Sequence, residues 1–128
     1  MKHIFVLIVE DSVYSADLNV RELKKAGFTV SHRTVMSRKA MEKALNESKW
    51  DIILSDHSMP NFNALQALEI RNRTDKNIPF LIVSEDISAE EIRVARERGC
   101  NEYISKESLS ELRNVVKKYL QQGEKIDE

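Results

Sequence analysis

Two hydrophobic patterns alternate along the chain: short continuous apolar runs and longer stretches with helical spacing. Residues 4–9, 52–54 and 79–83 are apolar runs of the kind found in strands that are covered on both faces, as in a parallel sheet. The strand around the second run is predicted over residues 51–55. Residues 28–33 and 101–105 are predicted as two further strands. The first of these is less apolar, which favours a position nearer an edge of the sheet.

The segments between these strands predict five helices, because their apolar residues recur three or four positions apart. Ser37 is predicted to open the second helix, and the third is predicted over residues 64–73. Ser88 and Ser108 each stand three residues before a glutamate, which is the signature of a capping box at a helix N-terminus. The predicted inward faces are, in chain order, Val13, Ala16, Val20 and Leu23; Ala40, Met41, Ala44 and Leu45; Leu65 and Leu68; Ile92 and Ala95; and Leu109, Leu112, Val116 and Tyr119.

Strands that alternate with helices predict an α/β fold, in which a doubly wound parallel sheet of five strands carries helices on both faces. A length of 128 residues suits one such domain. Gly123 is predicted to end the last helix. We therefore expect the domain to cover residues 1–122, with residues 123–128 as a polar tail or the beginning of a linker.

Composition narrows the functional classes. The formal net charge is −1, so no overall field attracts nucleic acid or an anionic membrane, and we expect no direct binding to either. The single cysteine, Cys100, cannot form an internal disulfide, which favours a reducing compartment, and we interpret it as a small packed residue. The N-terminal apolar run has six residues, far fewer than a signal or membrane segment needs. We expect a soluble, cytoplasmic protein.

Oxygen-bearing and basic residues follow the ends of four predicted strands. The first strand leads into Glu10 and Asp11, the third into Asp56 and the fourth into Ser84, while Lys106 follows the fifth. Parallel strands end at the same edge of a sheet, and ligands of such sheets bind there. The pattern therefore predicts one site that contains all of these side chains.

The residue types in this set indicate phosphoryl transfer. Converging carboxylates repel one another, and an all-oxygen site of this kind suits Mg²⁺ better than zinc. A carboxylate nucleophile, an ammonium and a hydroxyl are the groups that this reaction uses. The chain has neither a GxxxxGK[ST] loop nor a GxGxxG motif, which argues against nucleotide binding.

Each member of this set also has an ordinary interpretation. Residues 10–12 could cap the first helix, Ser84 could be a turn residue and Lys106 a surface lysine. His57 should point away from Asp56 because strand side chains alternate, so we do not expect it to bind a metal. Coincidence at four strand ends is the weaker explanation, and we favour the functional one.

With these residues the chain resembles a bacterial two-component receiver, or response-regulator, domain. The matching residues are Glu10-Asp11, Asp56 within Asp56-x-x-Met59-Pro60, Ser84, and Lys106 after Tyr103-Ile104-Ser105. The resemblance covers residues 4–121. It implies a flavodoxin-like sheet with strand order 2-1-3-4-5. It also implies that Asp56 accepts a phosphoryl group from a sensor histidine kinase or a phosphotransfer protein.

The resemblance assigns further roles. Asp11, Asp56 and the backbone carbonyl of Ser58 would bind Mg²⁺ directly, and Glu10 would act through water. Ser84 would move to hydrogen-bond the phosphoryl group, and Lys106 would pair with it. Tyr103 matches an aromatic switch position, with a half-buried strand aromatic as its ordinary interpretation. The surface of the fourth helix, fifth strand and fifth helix would then change its affinity for an output domain or target protein.

Three positions depart from the family pattern, and two of them, Glu85 and Glu107, support an alternative. Glu107 stands where a proline is usual after the lysine, Glu85 where a small residue is usual, and Ala64 where a glycine is common. The alternative is a degenerate receiver that binds a partner without being phosphorylated. An enzyme of the phosphohydrolase class is disfavoured because its Asp-x-Asp arrangement and a substrate-capping insert are missing. We therefore expect a signalling domain with at most intrinsic self-phosphorylation and self-dephosphorylation.

Overall fold

A computed structural model describes residues 2–120 of the chain. Five parallel strands form one sheet in the order β2-β1-β3-β4-β5. This confirms the predicted α/β class and the strand order. The strands are β1 (His3–Val9), β2 (Thr29–Val35), β3 (Ile52–Ser55), β4 (Phe80–Ser84) and β5 (Glu102–Ser105).

Five α-helices connect and follow the strands, in the order that the sequence predicts. They are α1 (Val13–Lys25), α2 (Arg38–Glu47), α3 (Ala64–Thr74), α4 (Ala89–Glu97) and α5 (Glu111–Leu120), and a short 3₁₀ turn, Lys106–Ser108, precedes the last of them. The sheet lies between two helical layers, and both of its faces are therefore buried against apolar side chains.

Two apolar clusters fill the space on either side of the sheet. The helices α1 and α5 pack on one face, where Leu23 and Val116 meet the β1 residues Ile4, Val6 and Ile8. The helices α2, α3 and α4 cover the opposite face, where Met41 and Leu68 are fully buried among residues such as Leu7 and Ile53. Alternation along β1 and β3 supplies side chains to both clusters, which explains why residues 6–9 and 52–54 are apolar without a break.

Two of the predicted helix starts are confirmed. The Ser37 hydroxyl accepts from the amide of Ala40, and Ser88 forms the predicted capping box with Glu91. The prediction for Ser108 was wrong, because Ser108 ends the 3₁₀ turn and α5 begins only at Glu111. Gly123 and the predicted tail lie outside the described residues.

The predicted edge position of β2 is confirmed, but its predicted end at residue 33 was too early. The strand continues to Val35, whose side chain is buried and whose backbone pairs with Val9. Pairing with β1 along its full length explains the extension, since local polarity does not end a strand that still has a hydrogen-bonding partner. Within residues 2–120, no helix has the length and apolar character that crossing a membrane requires.

Candidate functional site

The carboxyl ends of β3 and β4, the turn after β5 and the first turn of α1 surround one cavity of about 240 Å³. Glu10 and Asp11, which follow β1, do not line this cavity, but both lie close to Asp56, and Glu10 contacts Lys106. Every residue that lines the cavity is polar or charged, which suits an ion or a charged group better than an apolar ligand. The lining consists of Ser15, Asp56, Ser58, Ser84, Glu85, Asp86 and Lys106.

The ammonium of Lys106 lies between two buried carboxylates. Its Nζ is 3.1 Å from Oε2 of Glu10 and 3.3 Å from Oδ2 of Asp56. The two acids are only 2% and 7% exposed, while the lysine side chain is 21% exposed. The lysine therefore supplies a positive charge from the solvent side to two acids that the fold has removed from water.

Glu10 is held at the end of β1 by its own backbone surroundings. Its Oε1 accepts from the amides of Asp11 at 3.1 Å and Ser12 at 3.2 Å. Burial, and after it the charge of Asp56, raises the pKa of Glu10 to about 7, although Lys106 and the Ser12 amide act in the opposite direction. The positive charge of Lys106 therefore does not fully offset the effects of burial and of the Asp56 charge on Glu10.

Asp56 follows β3, and its backbone amide donates to the carbonyl of Val9 at 2.8 Å, which continues the sheet by one residue. Its Oδ1 accepts from the amide of His57 at 2.8 Å. Burial raises the pKa of Asp56, but the Ser84 hydroxyl, the Lys106 charge and the His57 amide outweigh it, so the pKa lies below its ordinary value. Asp56 is therefore ionised at neutral pH and available as a nucleophile.

The acidic residues are close enough together to bind a cation jointly. One oxygen from each of Glu10, Asp11 and Asp56 lies within 4.8 Å of the others, and Asp11 is the exposed member. These are hard oxygen donors of the type that Mg²⁺ prefers. Burial, and after it the charge of Asp56, raises the pKa of Glu10, and a divalent cation would oppose both effects by stabilising the ionised carboxylates. The residues present therefore fit Mg²⁺.

Two further serines frame the cavity near Asp86. Ser84, at the end of β4, is fully buried, and its hydroxyl oxygen accepts from the amide of Asp86 at 3.3 Å. Ser58 is exposed, and its hydroxyl donates to the carbonyl of Asp86 at 3.1 Å. The loop after β3 is thereby tied to the loop after β4. The structure brings both predicted serines to the cavity.

Tyr103 lies behind this cavity rather than in it. Its ring is half-buried against the apolar cluster that lies between the sheet and the helices α2, α3 and α4. Its hydroxyl donates to the backbone carbonyl of Ser84 at 3.0 Å. The predicted switch residue is therefore in contact with the strand end that carries the predicted phosphoryl-binding hydroxyl.

Sequence reasoning missed Ser15 and the partner of His57. Ser15 lies in the first turn of α1, lines the cavity, and accepts from Nζ of Lys106 at 3.4 Å. The imidazole of His57 is buried, and its Nε2 lies 2.8 Å from Oε2 of Glu91 on α4. The position of Ser15 in the first predicted helical turn after the acidic strand end was a usable signal, whereas nothing in the sequence pairs His57 with Glu91.

Comparison with known proteins shows which protein family the chain matches. The model of the response regulator receiver domain matches residues 6–117. The chain is 29% identical over 101 residues to the chemotaxis protein CheY of Thermotoga maritima, and the match covers 79% of this chain and 83% of that protein. It is also 30% identical over 119 residues to the hybrid signal transduction histidine kinase G of Dictyostelium discoideum. There the match covers 89% of this chain but only 3% of the kinase.

Solved structures agree with the sheet topology. The crystal structure of the phosphorylated cyanobacterial phytochrome response regulator RcpA superposes with a TM-score of 0.78 at 22% identity. The match covers 94% of this chain and 96% of that one. At this identity the likeness establishes the fold.

Proposed function

Because the chain belongs to the response regulator receiver domain family of two-component signalling, we propose that it is a phosphoacceptor whose acceptor residue is Asp56. One observation carries the proposal. An ionised, largely buried Asp56 carboxylate opens onto a polar cavity and contacts the Lys106 ammonium at 3.3 Å. A nucleophile and a charge that can bind the entering group are thus adjacent.

The proposed reaction transfers a phosphoryl group to a carboxylate oxygen. An oxygen of Asp56 attacks phosphorus, an acyl phosphate bond forms, and the bond from phosphorus to the donor nitrogen or oxygen breaks. The leaving group keeps the electron pair of that bond, and a histidine donor whose other ring nitrogen carries a proton is left as neutral imidazole. Hydrolysis by water later breaks the acyl phosphate bond, which regenerates the carboxylate and releases orthophosphate.

Protein groups stabilise the charge that develops on the phosphoryl oxygens. Lys106, 3.3 Å from Asp56, would pair with them, and the buried Ser84 hydroxyl would donate a hydrogen bond. Asp11, Asp56 and the carbonyl of Ser58 would hold Mg²⁺ directly, with Glu10 acting through water. When bound, Mg²⁺ supplies charge neutralisation for the carboxylates and the phosphoryl oxygens.

Phosphorylation would be transmitted through Ser84 and Tyr103. Movement of Ser84 toward a phosphoryl group displaces the carbonyl that the Tyr103 hydroxyl contacts. The ring would then repack, and the surface of α4, β5 and α5 would change its affinity for an output domain or target protein. We propose a sensor histidine kinase or a phosphotransfer protein as the donor. The presence of a hybrid histidine kinase among the relatives supports this class of partner.

The degenerate receiver is the second candidate, and Glu85 is the observation in its favour. This exposed acid lines the cavity and would repel an incoming phosphoryl group. The proximity of Glu10, Asp11 and Asp56 to Lys106 supports the phosphorylatable domain instead, since partner binding alone does not require converging carboxylates.

Incubation with Mg²⁺ and acetyl phosphate, followed by intact-mass measurement, tests the proposal. We expect wild type to gain the mass of one phosphoryl group and Asp56→Asn to gain none. Asp17→Asn is the matched control, because Asp17 is an exposed acid on α1 outside the cavity. No gain on wild type, or an equal gain on Asp56→Asn, would favour the degenerate receiver.

A further inference from the structure

Ser15 is a hydroxyl in the cavity to which the proposed reaction assigns no role. It is the third residue of α1, and its amide donates to the Ser12 hydroxyl at 3.2 Å, which fixes the first turn of the helix. Its side chain is half-buried and lines the same cavity as Asp56 and Ser84. The helix therefore presents this hydroxyl to the site from an element that contributes no other lining residue.

The hydrogen bonds of Ser15 leave its proton available. The hydroxyl oxygen accepts from Nζ of Lys106 at 3.4 Å. A serine hydroxyl has one donor in addition to its acceptor capacity. Within residues 2–120 the Ser15 hydroxyl donates to no acceptor. With the lysine on its oxygen, the proton can point into the cavity that it lines.

The cavity holds donors for an anion on more than one side. Lys106 reaches Asp56 from the turn after β5, Ser84 comes from β4, and Ser15 comes from α1. A tetrahedral oxyanion on Asp56 has three outward oxygens, which need separate partners. The acids Glu85 and Asp86 also line the cavity and cannot serve as donors when ionised.

We propose that Ser15 is a second hydroxyl donor to the phosphoryl group on Asp56, in addition to Ser84. Ser15 belongs to α1, whereas Ser84 belongs to β4. The inference deepens the proposed function and rests on it. Its ligand class is a tetrahedral phosphoryl oxyanion covalently held by a carboxylate. Ser15 also keeps Lys106 beside Asp56 through the contact at 3.4 Å, so one side chain orders the lysine and binds the group that the lysine pairs with.

Beryllium trifluoride tests this inference without the transfer step, because it binds a carboxylate as a phosphoryl mimic. Its affinity is measured by isothermal titration in Mg²⁺ for wild type, Ser15→Ala and Ser15→Thr. We expect Ser15→Ala to weaken binding about tenfold, the low end for a hydrogen bond to a charged group in an open cavity. Ser15→Thr keeps the hydroxyl and should stay within about threefold of wild type.

Tyr14→Phe is the matched control, since it removes a hydroxyl from the neighbouring residue, whose side chain is exposed. It should bind like wild type, and thermal melts verify that all variants are folded. Affinity of Ser15→Ala within about twofold of wild type would overturn the inference. Equal losses in Ser15→Ala and Ser15→Thr would also overturn it, because they would assign Ser15 a packing role.

The phosphorylation assay separates this inference from the function on which it rests. Wild type that gains a phosphoryl group while Ser15→Ala binds the mimic normally would overturn the role of Ser15 alone. Wild type that neither gains a phosphoryl group nor binds beryllium trifluoride would overturn the proposed function, and the role of Ser15 with it.

Discussion

The Tyr103 hydroxyl donates to the backbone carbonyl of Ser84 at 3.0 Å. The two residues lie on adjacent strands, where Tyr103 is paired with Ile82 and Ser84 with Ser105. The tyrosine therefore reaches along the sheet toward its carboxyl edge and contacts the last residue of β4. This hydrogen bond links the rim of the acidic cavity to a half-buried aromatic ring on β5.

Tyr103→Phe should destabilise the protein because it removes the donor to the Ser84 carbonyl and keeps the ring. We expect the free energy of unfolding in urea to fall by about 1 kcal/mol, the usual net value of one hydrogen bond. Tyr14→Phe, at an exposed position, should leave it unchanged. Equal effects of the two substitutions would mean that the bond to Ser84 contributes nothing.

Lys106→Met should destabilise the metal-free protein, because Glu10 and Asp56 would lose the cation they share. We expect a loss of roughly 2 kcal/mol in urea at pH 8, below the full value for a buried pair since the lysine is partly exposed. Millimolar Mg²⁺ should restore part of the loss by supplying another cation.

Lys118→Met is the matched control for this loss. Lys118 is 3.3 Å from Glu102, similar to the Lys106–Asp56 distance, but its side chain is 58% exposed. Solvent screens such a pair, so the loss should stay below about 1 kcal/mol and should not respond to Mg²⁺. A larger loss in Lys118→Met than in Lys106→Met would contradict the importance of burial.

Mg²⁺ should stabilise the folded protein if the acidic cluster binds it. At a hundredfold excess over Kd the stabilisation should be roughly 2.7 kcal/mol, measured as a rise in Tm with Mg²⁺ concentration. Asp11→Ala should abolish most of this rise, since Asp11 is a member of the cluster. Asp17→Ala should retain it, and a wild-type Tm that is constant across millimolar Mg²⁺ would argue against a preformed site.

His57 and Glu91 should show coupled energetics, because the imidazole Nε2 is 2.8 Å from the glutamate Oε2 and the histidine is 8% exposed. A double-mutant cycle with His57→Gln and Glu91→Gln should give a coupling energy of about 1 kcal/mol. The cycle of His57→Gln with Glu90→Gln should be additive, because Glu90 pairs with Arg93 instead. Additivity in both cycles would refute an energetic link between the loop after β3 and α4.

Cys100 should make stability depend on alkaline pH. Burial raises the pKa of its thiol from 9.0 to about 11, so the unfolded chain releases this proton at a lower pH than the folded one. The stabilisation of the folded state by the protonated thiol is therefore complete below pH 9 and is lost as pH rises toward 11. The free energy of unfolding of wild type relative to Cys100→Ala should fall by up to about 2 kcal/mol over this range, as measured in urea. A constant difference would contradict the raised pKa.

Several features were predictable because they depend on local pattern. The apolar runs at residues 4–9 and 79–83 predict doubly covered strands, and they are buried in the sheet apart from Phe5, which is 46% exposed, and the half-buried Pro79. Asp56 was predicted at the edge of the sheet because it follows such a run, and it lies there. Parallel strands place their carboxyl ends together, so order along the chain implied proximity in space.

Other features depend on contacts that local pattern does not encode. Arg71 belongs to a charged stretch of α3 that resembles a solvated face, yet it is 3% exposed and donates to the carbonyl of Gly99. Ser108 has the local signature of a cap, but the 3₁₀ turn after Lys106 delays α5 to Glu111. The first outcome depends on Gly99, a partner distant in the chain.

By itself, the sequence determined the elements, their order, and the edge of the sheet at which the acids, hydroxyls and lysine gather. The elements follow from hydrophobic periodicity, which is set within a few residues. The common edge follows from the handedness of strand connections, which is set within one crossover. Only the tertiary structure decided that Lys106 contacts Glu10, Asp56 and Ser15 together, and that His57 meets Glu91. Hydrogen bonds and charge pairs act over a few ångströms, so they depend on packing that brings distant segments to that distance.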